Sequence, residues 1–480
     1  MATSLSGASG ANMDISAVWP LIAILAVVPF QSIALAQDPR VPRYGLRVGQ
    51  ELTYEGKSES AATEDQTKYV RAWTWHVWVT RRNDDGSNRL LIQQTSSFKQ
   101  VVDSIAIGGE VREVNLAWCD LQPDSTIAPN PTIAVRVNPI SLFPPLAKNE
   151  AAARTGWSGA GQEIGSTISI TVVPTMQPTA IGFKGVIDSP TNRIYGITQE
   201  ATYTFDTERG VITRAESAQS QSYGVKTNEA GLIEMRSMAQ TDPDTLAKLN
   251  RDADLYFQAR QTYEQAADAA KTADRDAATR MAAALAELNT ASEKAQMPVF
   301  KEQFRMLIER HDTLAKHVVE EAQRRAEVVG QASPDWVCSD FAGKSHALKD
   351  YRGKVVVLDF WYRGCGWCIR AMPQVKQLAA DFAGRPVAFL GMNTDRNDKD
   401  AQFVIDAMGL NYPNLKAAGI PGKYRVQGFP TLVIIDQEGI VRGFHEGYAP
   451  DLREHVSTEI KALLKNPPAP AQRGASQLRK

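Results

Sequence analysis

The chain has 480 residues, 43% of them hydrophobic and 22% charged, with a formal net charge of −1. That length accommodates about three domains. The near-neutral balance gives no bulk attraction to nucleic acid or an anionic membrane surface, and four cysteines are too few for a disulfide scaffold.

Residues 1–36 read as a cleaved signal peptide. Positions 19–30 form an apolar core of the right length, Ala34-Leu-Ala36 offers a small-x-small cleavage site, and the polar Gln37-Asp-Pro-Arg follows. No Lys or Arg precedes the core, and Asp14 is acidic. The segment is short for a spanning helix, which needs about 20 apolar residues; an uncleaved N-terminal membrane anchor is the alternative. Either places the body of the chain across the inner membrane, in the periplasm.

Residues 40–240 read as an antiparallel all-β domain. Trp73, Trp75, Val77 and Val79 alternate onto one face of a strand, with His76 on the other. Residues 90–92, 168–173 and 194–197 are further short strands, and 201–205 and 210–214 flank a hairpin turn at Asp206-Thr-Glu-Arg. Such strands build a meander, a sandwich or a partly closed barrel. A curved sheet can hold a ligand, but a tryptophan-rich face is more often core. His76 reads as a surface residue and Cys119 as a buried free thiol. The proline-rich stretch 123–150 reads as a long loop. No catalytic constellation stands out in this domain.

Residues 243–330 change character, with no glycine before Gly330 and many Ala, Glu, Lys, Arg and Gln. Thr241-Asp-Pro-Asp marks a helix start with Pro243 in the first turn. One long helix is expected to about residue 292, broken by Pro298. The next has Phe300, Phe304, Leu307, His311, Leu314 and Val318 at 4-3-4-3-4 spacing, a coiled-coil seam. The expectation is an α-helical hairpin or coiled-coil connector, closed within one chain or forming a dimer through the helices. His311 fits a buried register-setting residue better than a metal ligand, since no His or Cys partner lies at helical spacing.

The last domain, 331–465, alternates strands and helices. Strands are expected at 355–360, 387–392, 431–435 and 440–444, and helices at 368–383, 398–408 and 451–464. This is an α/β pattern with a mixed sheet. The tail 466–480, opening Asn466-Pro-Pro-Ala-Pro, reads as disordered. Cys365 and Cys368 sit where the first buried strand gives way to a helix. A Cys-x-x-C in that place is a redox motif. Unpaired N–H groups and the dipole at a helix start favour an anion, lowering the thiol pKa from about 8.5 and supplying the nucleophilic thiolate.

These motifs carry a resemblance. Ala332-Ser-Pro-Asp-Trp, the run from Leu348 into Trp361, Cys365-Gly-Trp-Cys368, Met372-Pro373 and Gly428-Phe-Pro430-Thr431 occur in order. Together they resemble a TlpA/ResA-type thioredoxin-like domain of extracytoplasmic thiol–disulfide oxidoreductases, over 331–465 only. The resemblance implies that Cys365 is the exposed attacking thiolate, Cys368 the buried resolving thiol and Pro430 a cis proline facing the disulfide. It also aligns Asp359 with the buried acid of thioredoxins, which can take the resolving proton; a strand-end residue bonded to a loop is the plainer reading. Trp361, Trp367, Phe429 and Thr431 are expected to face substrate. The implied enzyme needs no dissociable cofactor and no metal. Its partners are a protein disulfide substrate and a membrane electron-donor protein, with no nucleic acid; a reductase task such as cytochrome c maturation is the usual one.

The sequence departs from the pattern at Gly364, Tyr362 and Arg363, and Arg363 is near enough in sequence to support the Cys365 thiolate. Cys338 reads as a buried structural thiol or a third redox cysteine, and an oxidising compartment would also permit a Cys119–Cys338 bridge. Two other functions stay open: a peroxiredoxin-like peroxidase, disfavoured by the Cys-x-x-C, and a redox-sensing binding or assembly protein that grips a partner with its β domain and helices.

Overall fold

A computed structural model describes residues 41–465 apart from 63–67, 103–104, 130–136, 138, 162–163, 176–178, 225 and 272–275. The expected signal peptide at 1–36 and disordered tail at 466–480 lie outside the described residues. The first half is built from β1 (Gln50–Ala62), β2 (Lys68–Arg82), β3 (Asn88–Val102), β4 (Ile105–Leu121), β5 (Ile127–Pro129), α1 (Glu150–Thr155), β6 (Trp157–Ala160), β7 (Thr167–Val173), β8 (Ala180–Asp188), α2 (Pro190–Tyr195), β9 (Ile197–Asp206), β10 (Val211–Gln221) and β11 (Thr227–Gln240). They form one 11-stranded sheet in the order β5-β4-β3-β2-β1-β11-β10-β9-β8-β7-β6. Neighbours are antiparallel throughout, and β1 pairs with β11, so two meanders join at the middle of the sheet. Of the three expected architectures, the meander is the one present.

In the β1–β4 half of the sheet both faces carry apolar residues, and each is covered. Leu52, Trp75, Val77, Leu90 and Ile92 form one core with Leu142 and Phe143. Residues 139–147 of the proline-rich stretch therefore work as a plug over this face, with Leu142 and Phe143 buried. The opposite face presents Leu91, Leu116, Trp78 and Trp118 to the helices that follow. His76 is half-buried, stacked on Trp78 and paired with Glu51 at 3.1 Å.

Residues 194–197 do not form a strand. Ser189 caps α2 by accepting from the Asn192 amide, Pro190 occupies the first turn, and Gly196 ends the helix with φ 59°, where a side chain is disfavoured. The apolar pair Ile194-Tyr195 reads as β by composition; the flanking caps make it helical.

The expected two-helix hairpin is four helices: α3 (Pro243–Ala270), α4 (Ala277–Lys294), α5 (Pro298–Glu309) and α6 (His311–Val328). The coiled-coil seam is not maintained. It is interrupted between α5 and α6, and Leu314 is 40% exposed. Heptad spacing needs a partner helix along its length; here Phe300 and Phe304 pack around Tyr256 at 6.0 and 5.2 Å, and Trp118 of the sheet stacks on Phe257 at 4.6 Å. Buried Asp252 accepts from the backbone amides of Gln296 and Met297, both at 2.6 Å, tying α3 to the entry of α5. His311 is buried and bonded to the Tyr263 hydroxyl at 2.8 Å. The helices form a layer on the β sheet, with a common core.

The last part comprises β12 (Val337–Ser339), β13 (Ser345–Ala347), β14 (Val355–Trp361), α7 (Gly366–Asp381), β15 (Val387–Asn393), α8 (Asp398–Met408), β16 (Asn414–Lys416), β17 (Thr431–Ile435), β18 (Val441–Glu446) and α9 (Leu452–Lys465). The main sheet runs β16-β15-β14-β17-β18, parallel between β14, β15 and β16 and antiparallel from β14 to β17 to β18. Every residue of β14 is buried, which is why it reads as an unbroken apolar run. Val356, Leu358 and Phe360 enter one core; Val355 and Val357 enter another with α7 and α9. The short strands β12, β13 and β16 carry too little apolar pattern to be predicted.

Because sheet and helices share a core, Phe257→Ala is expected to cost roughly 3–5 kcal/mol and to lower the unfolding midpoint of both together. Urea denaturation followed by circular dichroism at helix- and strand-sensitive wavelengths checks this. Separate transitions for helix and strand would contradict a shared core.

Candidate active site

The site is built where β14 ends. Thr394 donates its amide to the Trp361 carbonyl at 3.0 Å, and the Arg363 amide donates to both carboxylate oxygens of Asp395, at 3.0 and 3.1 Å. These bonds hold the loop in the turn that delivers Cys365 to the N-cap of α7. Cys365 and Cys368 form a disulfide, and the Cys368 amide donates to Cys365 Sγ at 3.0 Å. In the reduced state that N–H and the helix dipole are aimed at the first sulfur, the arrangement that stabilises a thiolate. Pro373 lies inside α7, and the Phe429–Pro430 peptide bond is cis.

Asp359 lies between Val357 and Trp361 on one face of β14, since alternate strand residues share a face. Val357 packs with Ala371 and Val375 of α7, while Trp361 packs with Cys365, Cys368 and Met372. The carboxyl is therefore directed at the α7 side of the sheet, behind the disulfide. It is buried, and the loss of hydration pushes its pKa up to about 7, against the opposing effect of the Tyr412 hydroxyl, which donates to Oδ2 at 3.0 Å. Such a group changes charge near neutral pH and can hold or release a proton there.

The AhpC/TSA family matches residues 329–444. The thiol-disulfide oxidoreductase ResA of Geobacillus thermodenitrificans is 31% identical over 140 residues, covering 28% of this chain and 80% of its own. The thioredoxin-like protein YneN of Bacillus subtilis is 30% identical over 122 residues, 25% of this chain and 71% of its own. A solved thioredoxin domain of a thiol-disulfide oxidoreductase from Bacteroides vulgatus is 25% identical, covering 28% of this chain and 98% of that one, with a TM-score of 0.26. The chain belongs to this family of thioredoxin-fold thiol–disulfide oxidoreductases.

Several residues of this family member sit differently from expectation. Cys365 is 7% exposed, not an open thiol at a helix tip. Trp361 does not face substrate: it is fully buried and its indole N–H donates to Asn414 Oδ1 at 3.1 Å. Thr431 is also buried, its hydroxyl donating to the Gly428 carbonyl at 2.8 Å and bracing the turn before Pro430. Trp361 ends β14 and Thr431 opens the antiparallel β17, paired with Phe360, so both lie at the same end of the central strands, where both sheet faces are covered. Trp367 is 54% exposed and stacks on Tyr448 at 5.6 Å, while Phe429 is half-buried, edge-on to Tyr362 at 5.2 Å.

Arg363 does not direct its charge to Cys365. Its guanidinium pairs with Asp400 at 2.7 Å and lies between the rings of Phe403 and Tyr223, 4.4 and 3.6 Å from their centroids. Cys119 and Cys338 are both buried and free, so no bridge joins them. Burial raises both thiols, Cys119 to about 12, which leaves little thiolate for exchange. Among the described residues no group of three His, Cys, Asp or Glu side chains is placed to hold a metal ion.

Sequence reasoning missed Tyr412, Asn414 and Asp400, and it missed Ile194, Tyr195 and Tyr223 of the β domain. The Ser-Pro start and Gly196 stop could have shown a helix at 190–195; nothing local could have shown what it touches.

The raised pKa of Asp359 makes stability depend on pH. The folded carboxyl keeps its proton to about pH 7, whereas an unfolded one releases it near pH 4. Stability contributed by this group is therefore present at low pH and lost as pH rises from about 4 to about 7. Asp359→Asn is expected to gain stability over wild type by a few kcal/mol more at pH 8 than at pH 4, measured by urea denaturation of the oxidised protein. An equal difference at both pH values would refute the perturbed acid.

Proposed function

We propose that the chain cycles Cys365 and Cys368 between dithiol and disulfide to reduce disulfides in protein substrates. The observation that carries this reading is the Cys365–Cys368 disulfide at the start of α7, with the Cys368 amide on Cys365 Sγ and a neutral-range acid on the same face of β14.

In the reductive direction the Cys365 thiolate attacks one sulfur of a substrate disulfide. The substrate S–S bond breaks, a mixed disulfide forms, and the first substrate thiolate leaves and takes a proton from water. Cys368 then gives its proton to the Asp359 carboxylate and attacks Cys365 Sγ. The mixed disulfide breaks, the Cys365–Cys368 bond closes, and the second substrate thiolate leaves. Two electrons have passed to the substrate, and a dithiol donor must return them. Pro430 would present its backbone beside the sulfur pair, with Trp367 and Phe429 as the exposed aromatic contacts.

The compartment follows from the sequence argument at 1–36: the body is exported to the periplasm, and the reset comes from a membrane-borne protein that offers its dithiol on an extended segment. No helix among the described residues is long and apolar enough to cross a membrane.

Reduction of insulin disulfides with dithiothreitol as donor tests the reading. Cys365→Ser is expected to abolish the catalysed rate. Cys368→Ala is expected to accumulate mixed disulfides through Cys365, visible as species that collapse on reduction. A wild-type rate no faster than Cys365→Ser would remove the proposal. Asp359→Asn is expected to slow turnover about 100-fold at pH 8 and to erase the fall in rate that wild type shows below about pH 7.

A further inference from the structure

Cys365 is 7% exposed although Tyr362, Gly364 and Trp367 around it face solvent. Part of its cover comes from the β domain. Ile194 of α2 is fully buried and shares one apolar cluster with Cys365, Cys368, Ile369, Met372 and Val404. The Tyr195 hydroxyl donates to the Arg363 carbonyl at 2.9 Å and lies 3.9 Å from where a Cβ on Gly366 would stand. Arg363 answers by donating to the Ile194 carbonyl at 3.3 Å and by placing its guanidinium 3.6 Å from the Tyr223 ring centroid.

These β-domain groups form one block. The amides of Ser222 and Tyr223 donate to the carbonyls of Gly196 and Tyr195, at 3.2 and 3.1 Å, which stitches the turn after β10 to the end of α2. Asn192 donates to the Ile187 carbonyl at 3.1 Å, which ties α2 to β8. The block rests on the large sheet and reaches across to α7 and α8. It closes the α8 side of the disulfide. The other side, lined by Tyr362, Phe429, Trp367 and Tyr448, keeps exposed aromatic surface.

We propose that α2 and Tyr223 of the β domain are specificity-determining: they bar the α8 side of Cys365, so that the site takes a disulfide carried on an extended chain and rejects one set in the surface of a folded protein. Exchange requires the incoming sulfur to reach Cys365 Sγ, so cover at that atom acts on rate through access. A narrow strand of polypeptide can enter along the Phe429–Pro430 edge. A folded partner needs room on both sides of the sulfur, and one side is occupied. The inference rests on the oxidoreductase reading above.

The experiment uses the full chain, reduced at Cys365 and Cys368, against two oxidants: an unstructured peptide with one internal disulfide, and oxidised thioredoxin as a folded protein with a surface disulfide. Stopped-flow tryptophan fluorescence gives a rate for each. The ratio of folded-protein rate to peptide rate is expected to rise about tenfold in Ile194→Ala/Tyr195→Ala/Tyr223→Ala. Tyr195→Phe, which keeps the ring, is expected to retain the wild-type ratio. Arg363→Gln, which loosens the contact without altering the β domain, is expected to raise the ratio in the same direction. A wild-type ratio in both the triple variant and Arg363→Gln would overturn the proposal, as would a proportional change in both rates. If wild type reacts with neither oxidant faster than Cys365→Ser does, the oxidoreductase reading fails instead.

Discussion

A guanidinium held mostly out of water needs its charge answered, and Arg363 draws partners for its two terminal nitrogens from two parts of the molecule, while its Nε is buried without one. Asp400 of α8 supplies the counter-charge, Phe403 one ring face, Tyr223 of the β domain the other, and Ile194 a carbonyl. Arginine suits this role because its planar group stacks and hydrogen-bonds at once. Arg363 lies two positions before Cys365, so the contact that joins the β domain to the thioredoxin-like domain is also a wall of the redox site. That one side chain is gripped from both sides beside the disulfide.

Behind the disulfide a different constraint operates. Asp359 is placed in the middle of a strand whose neighbours are Leu358 and Phe360, where a charged carboxylate loses its hydration. One hydroxyl, from Tyr412, partly offsets that loss. The balance leaves the acid near neutrality in a chain that otherwise pairs or exposes most of its carboxylates. Destabilisation of the ionised form and readiness to accept a proton are the same property, seen once as stability and once as chemistry. By contrast, Cys119 and Cys338 are also buried, but with no helix start aimed at them burial only raises the thiol.

The large sheet solves a separate problem. Two apolar faces on its β1–β4 half require two coverings. The proline-rich segment supplies Leu142 and Phe143 for one, and α3 to α6 supply the other. This explains why a stretch with loop composition is buried and why helices with heptad spacing do not make a coiled coil: Phe300 and Phe304 pack on Tyr256 of α3, whose neighbour Phe257 stacks on Trp118 of the sheet. It also anchors α2, through the Asn192 bond to β8, where that helix meets the redox site.

The local chemistry of the redox site was legible in the chain itself. An apolar run long enough for one buried strand and Cys365 and Cys368 at a helix start are short-range signals that periodicity and capping place without knowledge of the rest, whereas Asp359 and Pro430 were singled out by the resemblance to the TlpA/ResA-type family. The bounds of α8 and β17 could be read for the same reason, since their apolar patterns complete within a dozen residues. What no window of sequence could carry were contacts between distant segments: Ile194 and Tyr195 against Arg363 and Gly366, Tyr412 on Asp359, Asn414 on Trp361. Trp361 and Thr431 were expected at the surface because the motif is, yet the central sheet covers both faces of its strands. Local physics decided which residues could carry redox chemistry; tertiary packing decided how far Cys365 is covered, and by which distant part of the chain.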